Sequence, residues 1–345
     1  MKNLIIHAGY GEGHKRAAQA LEGLAGAQCV DMLDFCSPAI KKSTVSAYLK
    51  MTRGEGLFWN LLFTASRNFF FRKSCDFINF FIFRKFFKFI EDARPQNVIV
   101  THPFALPFLA VLKRKLGFKV FVVVTDMRVH PWWVNKEVDI YFAAVPETAA
   151  DLMRLGIKKE RIRCGFVSLR TPFWQNVDRK ELCAKNGVDD RPGILFVSSV
   201  QGRFPFLKEL LPELVKKYNI FIIYGKNIEL KNYLDGIKLP NLKYFDFCEN
   251  IYDLFALSFV IVTKPGGLTS FEGLAQRKFF LFTHFIPGQE EANMKLLEKY
   301  GLGYYARSKE DFLHYVDEFA KKNNTTFKYP LKVEDIRPVL ERMIG

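Results

Sequence analysis

The sequence predicts an α/β protein made of two doubly wound halves facing across a cleft. Two observations carry this. Short β-branched or aromatic runs alternate with longer helical patterns, the mark of βαβ units and a parallel sheet. The alternation also pauses once near mid-chain and then restarts, and 345 residues suffice for two buried cores.

In the first half the strands read as Asn3–His7, Asn97–Thr101, Lys119–Thr125 and Val138–Ala144. In the second they read as Gly193–Ser199, Asn219–Tyr224, Leu242–Phe245, Phe259–Thr263 and Phe279–Thr283. Helical patterns such as Leu207–Lys217 and Gln289–Lys299 lie between them. The pause falls between Arg170-Thr171-Pro172-Phe173 and Arg191-Pro192-Gly193. This divides the chain into 1–168, 169–330 and a last helical stretch, 331–345, expected to pack back on the first half. Paired halves of this kind bind a ligand in the cleft beyond the carboxyl ends of their strands.

Lysine and arginine number 51 against 36 acidic residues, a formal charge of +15. An anionic partner follows: nucleic acid, phospholipid headgroups or a phosphorylated substrate. Nucleic acid is disfavoured, because no RNP or helix-turn-helix context accompanies the charge. Six scattered cysteines with no C-x-x-C pair, and no histidine cluster at ligand spacing, argue against a zinc site. Reduced thiols in a cytosolic compartment are expected. The apolar start at Leu4-Ile5-Ile6 is too short for a signal peptide, and no window has the length of a spanning helix. A soluble or peripheral protein is the expectation.

One segment breaks the pattern. Residues 58–89 hold 12 of the 36 phenylalanines, interleaved with Arg67, Arg72, Lys73, Arg84, Lys85 and Lys88 and one acid, Asp76. A continuous helix would set Asp76, Arg84 and Lys88 on one side and Phe77, Phe80, Phe81 and Phe87 elsewhere. Two readings stand: a buried helical hairpin, or a basic aromatic face suited to an anionic bilayer surface.

Four motifs carry chemistry. The first strand runs into Gly9-Tyr10-Gly11-Glu12-Gly13-His14 and a helix. Glycines there allow a sharp turn and bring backbone amides near an anion. A dinucleotide fingerprint would need a third glycine where His14 stands, so a nicotinamide enzyme is disfavoured. His14 at a helix start is held neutral by the helix dipole, able to accept a proton, or else merely caps the helix. The second motif, Thr125-Asp126-Met127-Arg128-Val129-His130-Pro131-Trp132-Trp133, follows a strand directly. Asp126 would assist a base, His130 would contact substrate, and Trp132 and Trp133 offer flat apolar surface to a sugar or lipid, or are core. The third is Lys264-Pro265-Gly266-Gly267-Leu268-Thr269-Ser270-Phe271-Glu272, where amides can face a diphosphate and Glu272 can accept from ribose hydroxyls. The fourth, Pro287-Gly288-Gln289-Glu290-Glu291-Ala292-Asn293, offers an amide and carboxylates to sugar hydroxyls.

Together these motifs resemble the diacylglycerol glycosyltransferases, the group of bacterial processive diacylglycerol glucosyltransferases and plant monogalactosyldiacylglycerol synthases. They are more distantly similar to the lipid II-forming N-acetylglucosaminyltransferase. The resemblance runs from about residue 3 to 305. It implies a GT-B fold, with residues 1–168 as the acceptor and membrane-associating domain and 169–330 as the donor domain. It further implies a UDP-sugar held between them with no cofactor and no bound metal, and a peripheral protein at the cytoplasmic face of a membrane.

On that pattern His14 matches the catalytic base, helped by Asp126. Glu272 matches the ribose-binding carboxylate, and Gly266 and Gly267 the diphosphate turn, with Lys264, Leu268 and Thr269 around it. Gln289, Glu290 and Asn293 match donor-sugar contacts, Phe247 the uracil cover, and Arg170 an arginine near the nucleotide. Gly11, Gly13, His130, Trp132 and Trp133 fall on the acceptor side. Two features depart from the pattern. The loop Ser198-Ser199-Val200-Gln201-Gly202-Arg203 keeps one glycine, leaving Ser198, Ser199, Gly202 and Arg203 as phosphate donors, and Gly165–Arg170 lacks the usual proline. The function expected is inverting transfer of a hexose from a UDP-sugar to a lipid, with diacylglycerol first in line. The rivals are a UDP-sugar epimerase of the same fold and a catalytically silent membrane-binding relative.

Overall fold

A computed structural model describes residues 2–51, 64–66, 68–197, 204–325 and 327–345. Two six-stranded, all-parallel sheets form its frame. The first contains β1 (Asn3–His7), β2 (Gln28–Asp31), β3 (Asn97–Val100), β4 (Lys119–Val123), β5 (Ile140–Ala143) and β6 (Ile162–Cys164), in the order β2-β1-β3-β4-β5-β6. After β7 (Phe166–Val167), the second contains β8 (Gly193–Val197), β9 (Asn219–Ile223), β10 (Leu242–Phe245), β11 (Ser258–Thr263), β12 (Phe279–Phe282) and β13 (Gly303–Tyr305). Its order is β10-β9-β8-β11-β12-β13. Strands β1, β3, β9 and β11 are buried along their whole length. That follows from helices covering both faces, and it explains why they read as unbroken apolar runs.

In the first half the helices are α1 (Glu12–Gln19), α2 (Pro38–Met51), α3 (Phe69–Ile82), α4 (Arg84–Ala93), α5 (Leu106–Leu116) and α6 (Pro146–Arg154). The second half carries α7 (Arg179–Asn186), α8 (Leu207–Lys217), α9 (Ile228–Asp235), α10 (Ile251–Leu257), α11 (Gly267–Ala275), α12 (Gln289–Lys299) and α13 (Lys309–Asn323). The chain then returns to the first half. β14 (Glu334–Asp335) pairs parallel with β7, and α14 (Arg337–Ile344) sets Ile336, Leu340 and Ile344 against Ile5, Ile99, Phe121 and Phe142. The second core is continuous with the first half through Met127, Ala144 and Val145, so the halves pack as one body.

From Phe69 onward the phenylalanine-rich segment forms two helices, α3 and α4, so one continuous helical wheel does not describe it. Asn68 caps α3 by accepting from the Phe70 and Phe71 amides, and the chain leaves helical geometry at Phe83 (φ −102°, ψ 27°). Beyond that break, Phe83, Phe86 and Ile90 point into the core of the first sheet, and Phe80 stacks on Phe108 at 4.9 Å. On α3, by contrast, Phe70 (78% exposed), Phe77 (67%), Ile78 (59%) and Phe81 (63%) face outward. Part of the segment is therefore core and part is exposed, which leaves the bilayer reading as a proposal; residues 58–63 and 67 lie outside the described residues. Among the described residues, no helix is long and apolar enough to cross a membrane.

Candidate active site

β1 ends on His7 and delivers the chain to Gly9, whose amide donates to Asp31 Oδ1 at 3.1 Å. A Cβ on Gly9 would come within 2.6 Å of Asp31 Oδ2, so a side chain there would dislodge this anchor. Gly11 then takes an extended conformation (φ −150°, ψ 150°), caps α1 without a side chain, and leaves Glu12 in the first turn to favour the helix dipole. His14 and half-buried Gly13 follow in the same turn.

His14 is held by the ends of two other strands. Its Nδ1 lies 2.9 Å from the Thr101 carbonyl oxygen and 2.7 Å from the Thr125 hydroxyl. The Thr101 hydroxyl in turn donates to the His14 carbonyl at 3.0 Å. A carbonyl oxygen can only accept, so Nδ1 carries the proton in neutral His14, which leaves Nε2 as a bare acceptor. His102 meets the His14 ring edge-on at 4.4 Å and accepts from the Phe104 amide through Nδ1. Burial first, then the charges of His14 and His7, hold His102 well below the usual histidine range and keep it neutral.

The segment after β4 is fixed from α6. Buried Asp151 accepts from Arg128 Nε at 2.7 Å and Nη2 at 3.0 Å, and from the Val129 amide at 3.1 Å; the Thr148 hydroxyl donates to the Met127 carbonyl at 2.7 Å. Asp126 is buried and accepts from the Trp133 indole N–H at 2.9 Å. Trp133 is therefore core, 1% exposed, which corrects its expected role as an open surface. His130 is also buried, its Nε2 3.1 Å from the Ser66 hydroxyl and its Nδ1 accepting from the Trp132 amide. Trp132, with its ring edge-on to His130 at 5.4 Å, keeps an exposed face.

The donor motif closes on this from the other half. β11 leads through Lys264 and Pro265 to Gly266, the extended N-cap of α11. Gly267 abuts the Thr125 carbonyl so closely that a Cβ there would collide with it, and Leu268 Cβ lies 3.6 Å from where a Gly13 Cβ would stand. Thr269 is half-buried in the first turn. Lys264 pairs with Glu290, which also accepts from the Ile286 amide at 2.8 Å. Asn293 is 1% exposed and donates to the Pro265 carbonyl at 3.0 Å. Glu290 and Asn293 thus brace the turn, a function their spacing had not suggested. Gln289 opens α12, N-capped by Gly288 at φ 91°, and its side chain lies outside the description.

Glu272 projects from α11 into a dry position, 4% exposed, with no hydrogen bond to its carboxyl among the described residues. Burial pushes its pKa up to about 7, against the opposing pull of Arg16 and Arg170. Arg170 donates to the Glu249 carbonyl at 3.3 Å, and the exposed ring of Phe247 lies 6.0 Å beneath the Arg16 guanidinium. Arg16 is the cleft residue that the sequence reading missed. It stands in a helix outside the glycine motif, and only the packing of the halves brings it to Phe247. Ser199 and Gly202, with Ser198 and Arg203, lie outside the described residues. No cluster of three or more metal-ligating side chains occurs among the described residues.

A family model described as monogalactosyldiacylglycerol (MGDG) synthase matches residues 14–166. The processive diacylglycerol beta-glucosyltransferase of Bacillus thuringiensis is 28% identical over 328 residues, covering 89% of this chain and 82% of that one. The enzyme of the same name from Bacillus cereus matches to the same extent. Among solved structures, MurG of Acinetobacter baumannii aligns with a TM-score of 0.57 at 14% identity, covering 100% of this chain and 99% of that one. A UDP-GlcNAc 2-epimerase of Methanocaldococcus jannaschii, solved with UDP-GlcNAc and UDP, aligns at 0.56 and 15%, covering 100% and 98%. At such identities the structures establish the fold alone, and that fold is GT-B. The chain thus has the GT-B fold. In sequence it is similar to the diacylglycerol glycosyltransferases, the group that its four motifs resemble.

Proposed function

We propose that this protein transfers a hexose from a UDP-sugar to a diacylglycerol-type lipid, inverting the anomeric carbon, while attached peripherally at the cytoplasmic face of a membrane. The observation that carries the reading is the fixed His14. Its Nδ1 is committed to Thr101 and Thr125, and Thr125 itself touches Gly267 at the start of the donor helix. A base and a phosphate-binding helix N-terminus therefore meet across the cleft, as single displacement requires.

In this mechanism His14 Nε2 takes the proton of the acceptor hydroxyl, and the freed oxygen attacks the anomeric carbon opposite UDP. The bond to UDP breaks as the new glycosidic bond forms, and the diphosphate leaves with the electron pair. The amides of Gly266, Gly267 and Leu268 at the start of α11, together with Arg170, stabilise that charge. Lys264 and Thr269 complete the donor site, to which Ser199 and Gly202 are assigned by resemblance alone, with Phe247 over the base and Glu272 at the ribose. Gln289, Glu290 and Asn293 lie at the sugar. Asp126 shapes the acceptor side through Trp133, while Gly11, Gly13, His130 and Trp132 border the lipid. UDP-sugar is a substrate here; no cofactor or metal enters the scheme, and nucleic acid is not a partner. The names of the curated relatives support the lipid acceptor, and the UDP complexes among the structural neighbours support the donor. The outward face of α3, bearing Phe70, Phe77, Ile78 and Phe81 with Lys73 at its flank, supports the membrane surface.

Mass analysis of lipid products tests this, with diacylglycerol vesicles and UDP-glucose, UDP-galactose or UDP-N-acetylglucosamine supplied singly. A hexosyl-diacylglycerol from one hexose donor is expected. No glycolipid from any of the three would reject the assignment.

A further inference from the structure

We infer that Arg16 is a donor-site residue supplied across the cleft by the first half, and that its ligand is the diphosphate of the nucleotide. The inference rests on the UDP-sugar reading above. Arg16 lies two residues beyond His14 on α1, about 200° around the helix, so the residue that faces Thr101 and Thr125 leaves Arg16 to face the second half. There its guanidinium carbon lies 6.0 Å from the centre of the Phe247 ring. Among the described residues it has no ion pair and no side-chain hydrogen bond.

The surrounding charge selects the ligand. Arg16 from one half and Arg170 from the other both act on the buried Glu272 carboxyl, yet neither is hydrogen-bonded to it. Both guanidinium groups favour the charged form of Glu272, and an anion carrying two or more negative charges offsets two such cations better than that one carboxyl does. A guanidinium edge matches two phosphate oxygens at once. A uracil or a ribose offers no such charge. One short helix then carries both the proton acceptor and a clamp on the leaving group, and the clamp forms only when the halves are closed. Closure and donor occupancy become linked through Arg16.

Calorimetric titration of wild type and Arg16→Gln with UDP, and separately with uridine, tests the inference. The expected result is a roughly ten- to hundredfold weaker UDP affinity, with uridine changed less than about twofold. kcat for transfer should fall alongside. Equal weakening for both ligands would mean that Arg16 acts only by packing on Phe247, and it would overturn the inference while leaving the UDP-sugar reading intact; so would no change for either. A wild type that binds neither ligand would overturn both. Should Arg16→Gln melt far below wild type, Arg16→Lys, which keeps the charge but not the fork, carries the same comparison with a smaller UDP-selective loss expected.

Discussion

Gly267 and Thr125 meet across the cleft at a separation only glycine permits, since a Cβ on Gly267 would run into the Thr125 carbonyl oxygen. The same Thr125 presents its hydroxyl to His14 Nδ1 at 2.7 Å. The contact that lets the halves close is therefore made by the same residue that orients His14.

Gly267→Ala accordingly should hold the cleft ajar by about the width of a methyl group. The variant is expected to fold, because the collision lies between halves rather than within a core. Its kcat/KM for transfer should fall roughly a hundredfold, since misplacing reacting groups by about 1 Å costs that much. Steady-state kinetics beside a thermal melt make the comparison. Unchanged kinetics would mean that closure at this contact is irrelevant to the reaction.

Glu272 predicts a pH dependence of stability without ligand. Its folded pKa, raised to about 7, lies above the ordinary 4.5, so folding is favoured by the protonated carboxyl. The sign follows: that stabilisation is fully present below about pH 4.5 and is lost as pH rises through about 7, a change on the order of 3 kcal/mol. Urea unfolding at pH 5 and pH 8 should show the decline in wild type and a clearly flatter response in Glu272→Gln. Parallel curves for the two proteins would show that Glu272 does not titrate in this way.

The outward phenylalanines of α3 separate attachment from folding. Changing Phe70, Phe77 and Phe81 together to Ser should leave the melting temperature within a few degrees, because all three are exposed. Sedimentation with anionic vesicles should fall about tenfold or more. Phe83→Ser, two positions beyond Phe81 but 2% exposed, should instead destabilise the fold by about 3 kcal/mol or more. Undiminished vesicle binding by the triple variant would remove α3 from the membrane reading.

The strands legible in sequence are the ones covered on both faces. Val98, Ile99 and Val100 of β3 and Phe259 to Val262 of β11 are buried and read as apolar runs. The overlooked strands sit beside or at the sheet edges. β2 holds Gln28 and Asp31, with only Cys29 and Val30 between them, and β6 offers Ile162-Arg163-Cys164. β13, at the other edge, is Gly303-Tyr304-Tyr305. Each is too short and too polar to declare a period. Phe83 shows a different limit. Nothing in a run of aromatics and lysines marks the residue where the helix breaks, because the break follows from burying Phe83 and Phe86 under Phe108. Of the site, glycine turns and helix starts were legible because they obey local backbone rules. The bracing roles of Glu290, Asn293 and Trp133, and the reach of Arg16, arise from contacts made only after the halves pack.

In the proposed mechanism His14 performs the chemistry from a position fixed against the donor turn. Its most direct test is turnover of His14→Ala measured beside its affinity for UDP. Transfer is expected to fall by about a thousandfold or more, with UDP affinity within about threefold of wild type, since the imidazole is assigned to the acceptor proton and not to the nucleotide. Transfer at the wild-type rate in that variant would contradict it.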